Sequence, residues 1–227
     1  MQDKHSKNTR VYTSIKMSLQ VGRFLPGERI DPATLAQDFG ASPTPVRLAL
    51  HRLVGEGLLE DCSREGFHLP RLTEAGLRDL YDWMEQLLVI ACNRSSMHNQ
   101  KPGLPPPPEI LSEEEGDLVT STARLFDAIA LVARSACLRE TVQRTNNRLT
   151  PIRRAKAPLL MQSAEELDHL QMLWEQREFA KLGQAVIDYH ARRKILVPRI
   201  VEHINQATLL RPGANPNTEA QAATSRN

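Results

Sequence analysis

Aromatic side chains are scarce in this chain: two Trp, three Tyr and five Phe, 4% of 227 residues. Proteins that stack single-stranded bases on exposed rings need more than that, so that class is excluded. An excess of charge of one sign is lacking too. With 29 Lys and Arg against 27 Asp and Glu the net charge is +2, far below what holding any duplex by charge alone requires. A nucleic-acid partner must therefore be met by a local surface. Cysteine is sparse: Cys62, Cys92 and Cys137 are widely separated with no CxxC spacing. That excludes a disulfide frame and a zinc finger and fits free thiols in a reducing compartment. No apolar run reaches the ~20 residues that span a bilayer, and the start, Met-Gln-Asp-Lys-His-Ser-Lys, has no apolar signal segment. The expectation is a cytoplasmic protein without a membrane partner.

What is present is 41% apolar residues, enough for packed cores, set mostly at helical period. Residues 1–10 are polar and are expected to form a disordered arm. Val11, Ile15 and Leu19, closed by Val21, predict a first helix over about 11–21. Leu25-Pro26-Gly27 is turn chemistry. Asp31-Pro32 pairs an N-cap with proline at the first helical position, opening a short helix that Gly40 ends. Ser42-Pro43 repeats the start signal, and Pro45 stays within the first turn. Leu58-Leu59-Glu60 and Phe67-His68-Leu69 flank Ser63-Arg64-Glu65-Gly66 and read as a hairpin, or wing.

Thr73-Glu74 starts a further helix that places Leu77, Leu80, Tyr81, Met84, Leu87, Leu88 and Ala91 on one face. A Pro-rich loop is expected at 101–115 and a disordered tail at 212–227. Between them helical period resumes near Leu118, and Leu182 to Ile204 reads as one long helix. The predicted fold class is mainly α: an N-terminal winged helix-turn-helix with a small β-hairpin wing over 11–70, then an all-α helical bundle over 73–207.

On the third helix Val46, Leu50 and Leu53, with Ala49 beside them, form a packing stripe. Thr44, Arg47 and His51 occupy a different face, and Arg52 lies near its edge. A threonine at a helix start can meet phosphate with the free backbone N–H groups. An arginine one turn on can fork onto guanine or clamp a phosphate. A solvated helix face would carry similar residues, but the wing beside it, with Arg64 at its tip, is suited to an adjacent minor groove.

These residues strongly resemble the winged-helix domain of the GntR family of bacterial transcription regulators. The resemblance rests on Leu25-Pro26-Gly27-Glu28-Arg29, Leu35-Ala36, Gly40, Ser42, Thr44-Pro45-Val46-Arg47, Ala49-Leu50, Arg52-Leu53, Gly57-Leu58 and Gly66. It implies a double-stranded operator as partner, contacted by Ser42, Pro43, Thr44, Arg47, His51 and Arg52 and, from the wing, by Arg64 and Gly66. Pro43 stands where many members carry arginine, and Leu48 where glutamate is usual. It also implies a homodimer on a palindromic site, repression as the default sign, and no enzyme activity.

The helical second half looks like the FadR-type (FCD) branch of that family, which implies a domain for dimerisation and for a small-molecule effector. In that branch a divalent metal is often held by an aspartate and three histidines. The matching positions here hold Asp127, His169 and His190, with Ala123 where the aspartate is usual, so a metal has at most three ligands. Two histidines and one carboxylate can form a facial site. The arginine that relatives carry after the tyrosine matching Tyr81 is replaced by Met84, Leu87 and Leu88. Basic residues at Arg148, Arg153, Arg154 and Lys156 and at Arg192, Arg193 and Lys194 read as solvated faces. Two alternatives stand beside the sensor: a constitutive DNA-binding dimer with a decayed pocket, and a metal-dependent enzyme built on Asp127, His169 and His190.

Overall fold

The computed structural model describes residues 2–62, 66–98, 118–156 and 163–211. The chain divides into two compact units: Met1–Leu72 with Glu202–Asn227, and Thr73–Val201. The Pro-rich loop at 101–115, the wing tip with Arg64 and the tail at 212–227 lie outside the described residues.

In the first unit α1 spans Gln2–Gln20, β1 Arg29–Ile30, α2 Pro32–Asp38, α3 Pro43–Gly55, β2 Glu60–Cys62 and β3 Gly66–His68. Helical backbone therefore begins at Gln2, nine residues ahead of Val11 where the apolar period sets in. From Val11 on α1 buries a stripe: Val11, Ile15 and Leu19 pack with Leu35, Val46, Leu50, Leu53 and Phe67 into one core. The sheet is antiparallel in the order β1-β3-β2, with Ile30 and Asp61 both opposite Phe67. The hairpin agrees with the expected wing. Its third strand, β1, is only two residues long and carries no alternation that a sequence pattern could register.

Tyr12, Lys16 and Glu56 fasten α1 to the end of α3. The Tyr12 hydroxyl donates to Glu56 Oε1 at 2.6 Å and Lys16 Nζ to Oε2 at 2.8 Å. Burial raises the Glu56 carboxyl, but the hydrogen bonds from Lys16 and Tyr12 outweigh it and hold the group below its ordinary range.

Chain-distant residues complete this unit. Thr208 Oγ1 donates to Pro26 O at 3.0 Å, and Arg211 Nη1 reaches Glu28 Oε2 and Arg23 O at 2.9 and 2.8 Å. Those bonds group the last turns of the final helix with the N-terminal unit. Gly27 is needed there: its φ is +86°, and a Cβ would lie 3.3 Å from Arg71 Cγ.

The second unit is all helical: α4 Glu74–His98, α5 Leu118–Val132, α6 Ala136–Ala155, α7 Ser163–Glu175 and α8 Phe179–Ile195, followed by α9, Val197–Leu209. The expected single helix over Leu182 to Ile204 is broken at Leu196, because Pro198 cannot donate a backbone N–H and instead sits in the first turn of α9. Leu77, Tyr81, Met84, Leu87, Leu88 and Ala91 are buried on α4, as their spacing requires. Lys194 Nζ on α8 bonds Asp82 and Glu85 of α4 at 2.7 and 2.9 Å. No described helix is long and apolar enough to cross a membrane. All three cysteines are free thiols, and burial pushes the Cys92 thiol up to about 12.

Candidate nucleic-acid interface

Local chemistry positions α3. Asp31 caps α2 by accepting from Thr34 N at 2.8 Å, with Pro32 at the first helical position. Those hydrogen bonds to Thr34 hold the Asp31 carboxyl below its ordinary value. Gly40, at φ +56°, ends α2, and Ala41 N donates back to Ala36 O at 2.9 Å. The turn leads directly into Ser42, whose backbone is extended as an N-cap's should be, although its side chain makes no capping bond. Pro43 and Pro45 carry no backbone N–H, so the exposed start of α3 offers the Ser42 hydroxyl and the Thr44 N–H and little else.

Val46, Ala49, Leu50 and Leu53 are buried, and this anchors one face of α3. The opposite face holds Ser42, Pro43, Thr44, Arg47, Leu48, His51 and Arg52, all exposed. These side chains are not equivalent. Arg52 is committed to its own domain: its guanidinium lies 3.8 Å from the Tyr12 ring centroid and 3.4 Å from Glu56 Oε1. His51 leans on the wing, edge-on to Phe67 at 5.0 Å and 3.6 Å from Asp61 Oδ2. Among the described residues, Thr44, Arg47 and Leu48 touch no side-chain partner by hydrogen bond or ion pair. Leu48, an apolar residue where the family usually has glutamate, is 56% exposed in the middle of this face. Gly66, at φ +82°, lets β3 leave the wing tip, where a left-handed backbone favours glycine.

The helical unit overturns two expectations. Asp127, His169 and His190 do not form a metal site: among the described residues no three His, Cys, Asp or Glu side chains are grouped to hold an ion. His169 is exposed on α7. Asp127 accepts from Asn146 Nδ2 at 2.9 Å, and burial raises its carboxyl. His190 is fully buried, with Nδ1 bonded to Val186 O at 2.8 Å. Burial, with Arg153, Arg193 and Lys156 nearby, lowers its pKa to about 3. A divalent cation would meet that positive field, so the residues present do not suit one.

The second correction concerns the basic clusters. Arg148 and Arg192 are exposed as expected, but Arg153, Lys156 and Arg193 are buried at 5%, 2% and 2% exposure. Helical spacing could not single them out, because α4, α5 and α7 supply the cover.

A capped helix, a glycine turn, a second helix with one face free and an antiparallel wing define a winged helix-turn-helix. Residues 7–69 match the model of bacterial regulatory proteins, gntR family. The HTH-type transcriptional regulator YdhC of Bacillus subtilis (strain 168) is 38% identical over 81 residues, 34% of this chain and 36% of that relative's length. The HTH-type transcriptional regulator McbR of Escherichia coli (strain K12) is 26% identical over 82% of this chain and 80% of its own. The solved structure of E. coli McbR/YncC matches with TM-score 0.66 at 21% identity, covering 85% of this chain and 97% of that one, which shows a shared fold. The N-terminal part of the chain, residues 7–69, is a gntR-type winged helix-turn-helix domain. Its relatives are named as transcriptional regulators and not as enzymes.

Proposed function

We propose that the protein is a homodimeric repressor that reads a palindromic DNA operator and whose affinity for it is tuned by a small molecule in the helical unit. The observation that carries this reading is the free face of α3. Thr44 at the exposed helix start suits a phosphate, and Arg47 one turn on, with no ion pair among the described residues, suits a guanine edge. Leu48 beside it offers methyl groups suited to the C5-methyl of thymine. Gly66 opens β3 of the wing, which would follow the flanking minor groove, with Arg64 as the basic side chain that the sequence puts forward for that contact. His51 and Arg52 have protein partners on one side and would serve as backbone contacts at the edge of the footprint.

Two copies are needed because a few base contacts from one short helix give little specificity, whereas linked half-sites combine theirs. Trp83, Ile90 and Met97 on α4 lie seven residues apart and are 47%, 48% and 76% exposed. Such a heptad-spaced apolar row suits a second copy of the same helix. Repression follows most directly, since occupying a promoter needs no surface beyond the DNA contact itself. Similarity to McbR over 82% of the chain supports a FadR-type second domain.

The test is selection of bound fragments from the source genome, followed by titration of the recovered duplex at fixed salt. A palindromic site bound by two copies, weakened by Arg47→Ala, supports the reading. Equal affinity for recovered and scrambled duplexes sinks it.

A further inference from the structure

The three-stranded sheet of the first unit has two faces of different character. Ile30, Phe67 and Asp61 stand in register across β1, β3 and β2, and Ile30 and Phe67 are buried in the core. Arg29, His68 and Glu60 form the neighbouring register row and, by the two-residue period of a strand, stand on the other face. Arg29 and Glu60 are exposed there. Among the described residues the Arg29 guanidinium makes no hydrogen bond and no ion pair. Asp31, two residues on, feels its charge, but Asp31 Oδ2 is occupied by Thr34 N and Oγ1 at 2.8 and 2.9 Å. Glu60 is two strand spacings away, roughly 10 Å, with β3 between them.

The side chain runs toward the wing tip. Arg29 pairs with His68, yet its Nε lies 3.9 Å from where a Cβ of Gly66 would stand, two residues nearer the tip. Gly66 has no side chain to fill that space, so the guanidinium crosses the base of the tip. His68 leans the same way, with Nδ1 3.1 Å from Gly66 O. A cation delivered to this place meets whatever the wing meets. Where A·T pairs follow one another the minor groove is narrow and its negative potential is enhanced, which draws an arginine in. A G·C pair instead sets the guanine N2 amino group in that groove, a donor facing a donor.

We infer that Arg29, from the edge strand of the sheet, enters the minor groove beside the α3 footprint and makes the protein select A·T pairs there. Arg47 on α3 faces the major groove, so the two arginines read adjacent grooves of one duplex. The inference rests on the operator reading above, because it needs α3 seated in the neighbouring groove, and the test separates the two.

The full chain and its Arg29→Ala variant each select duplexes from a random-sequence library. Recovered sites are then titrated by fluorescence anisotropy at fixed salt, with the flanking A·T pairs kept, exchanged for G·C or exchanged for inosine·cytosine. Inosine·cytosine keeps the minor-groove pattern of A·T, while its major groove resembles that of G·C. The wild type should lose at least about five-fold in affinity on G·C flanks and little on inosine·cytosine flanks. Arg29→Ala should select the same central site and treat all three flanks alike. Arg29→Gln, which keeps more bulk on β1, carries the test if the Ala variant does not fold. The inference is overturned by a flank preference that survives in the variant, by inosine·cytosine flanks that cost as much as G·C, or by a wild type indifferent to its flanks. A defined central site with indifferent flanks sinks this inference alone. A library that returns no site for the wild type sinks the operator reading and this inference with it.

Discussion

The two units treat positive charge in opposite ways. In the first, Arg47 stands on an exposed helix face with no ion-pair partner among the described residues, while the apolar residues of α3 are buried behind it. In the second, Arg153, Lys156 and Arg193 are drawn into the interior, where Asn146, the Tyr81 hydroxyl and Glu166 accept from them. An exposed cation costs the fold almost nothing and waits for a partner that arrives from outside. A buried one costs stability unless the groups packed around it satisfy it. The comparison separates a cation left on the surface from cations that the packed interior itself must satisfy.

Cutting into the apolar support behind the exposed face should have the largest effect. Leu53 is fully buried, and Leu53→Ala should destabilise the N-terminal unit by about 2–5 kcal/mol in urea unfolding. A cost below that range would mean α3 is not held by this core. The opposite sign is expected in the helical unit. Replacing the poorly matched Lys156 with Met should stabilise it by about 1–4 kcal/mol and raise the melting temperature. A strong loss of stability there would show that Lys156 is satisfied within the fold.

Arg47→Ala sharpens the contrast, because it should leave unfolding unchanged while weakening operator binding by about 1–3 kcal/mol at fixed salt. Glu56→Gln should loosen the clasp between α1 and α3 by about 1 kcal/mol. The Glu56 carboxyl is held below its unfolded value in the native protein. Its contribution is therefore complete above the ordinary carboxylate range and is lost as pH falls through the depressed native value. Acid titration of stability should show a smaller loss in the Gln variant than in the wild type. The smallest effect belongs to Leu48: exchanging one thymine of the operator for uracil should cost about 0.5–1 kcal/mol in the wild type and nothing in Leu48→Ala.

Much of the first unit was readable because its signals are local. Asp31 marks a helix start by bonding Thr34, Gly40 a helix end by its left-handed backbone and Pro43 the next start by its fixed φ, and the structure places α2 and α3 where those marks stand. Two features were not readable for the same reason. Strand β1 exists only because Arg29 and Ile30 meet His68 and Phe67, and the Gly27 loop is secured by Thr208 and Arg211 from the far end of the chain. Leu48 could have been recognised from its position between Arg47 and His51, since an apolar residue on that face has no core to join.

Sequence alone determined the winged helix-turn-helix, its recognition helix and the helical character of the rest, because caps, glycine turns and apolar period act over one or two turns of chain. Only the tertiary structure decided which charges are solvated. Arg153 and Arg154 are neighbours in the same helix, yet one is enclosed by Phe126 and Asn146 and the other is not. Burial of a long cationic side chain depends on what distant helices bring against it, and no spacing rule along one helix contains that information.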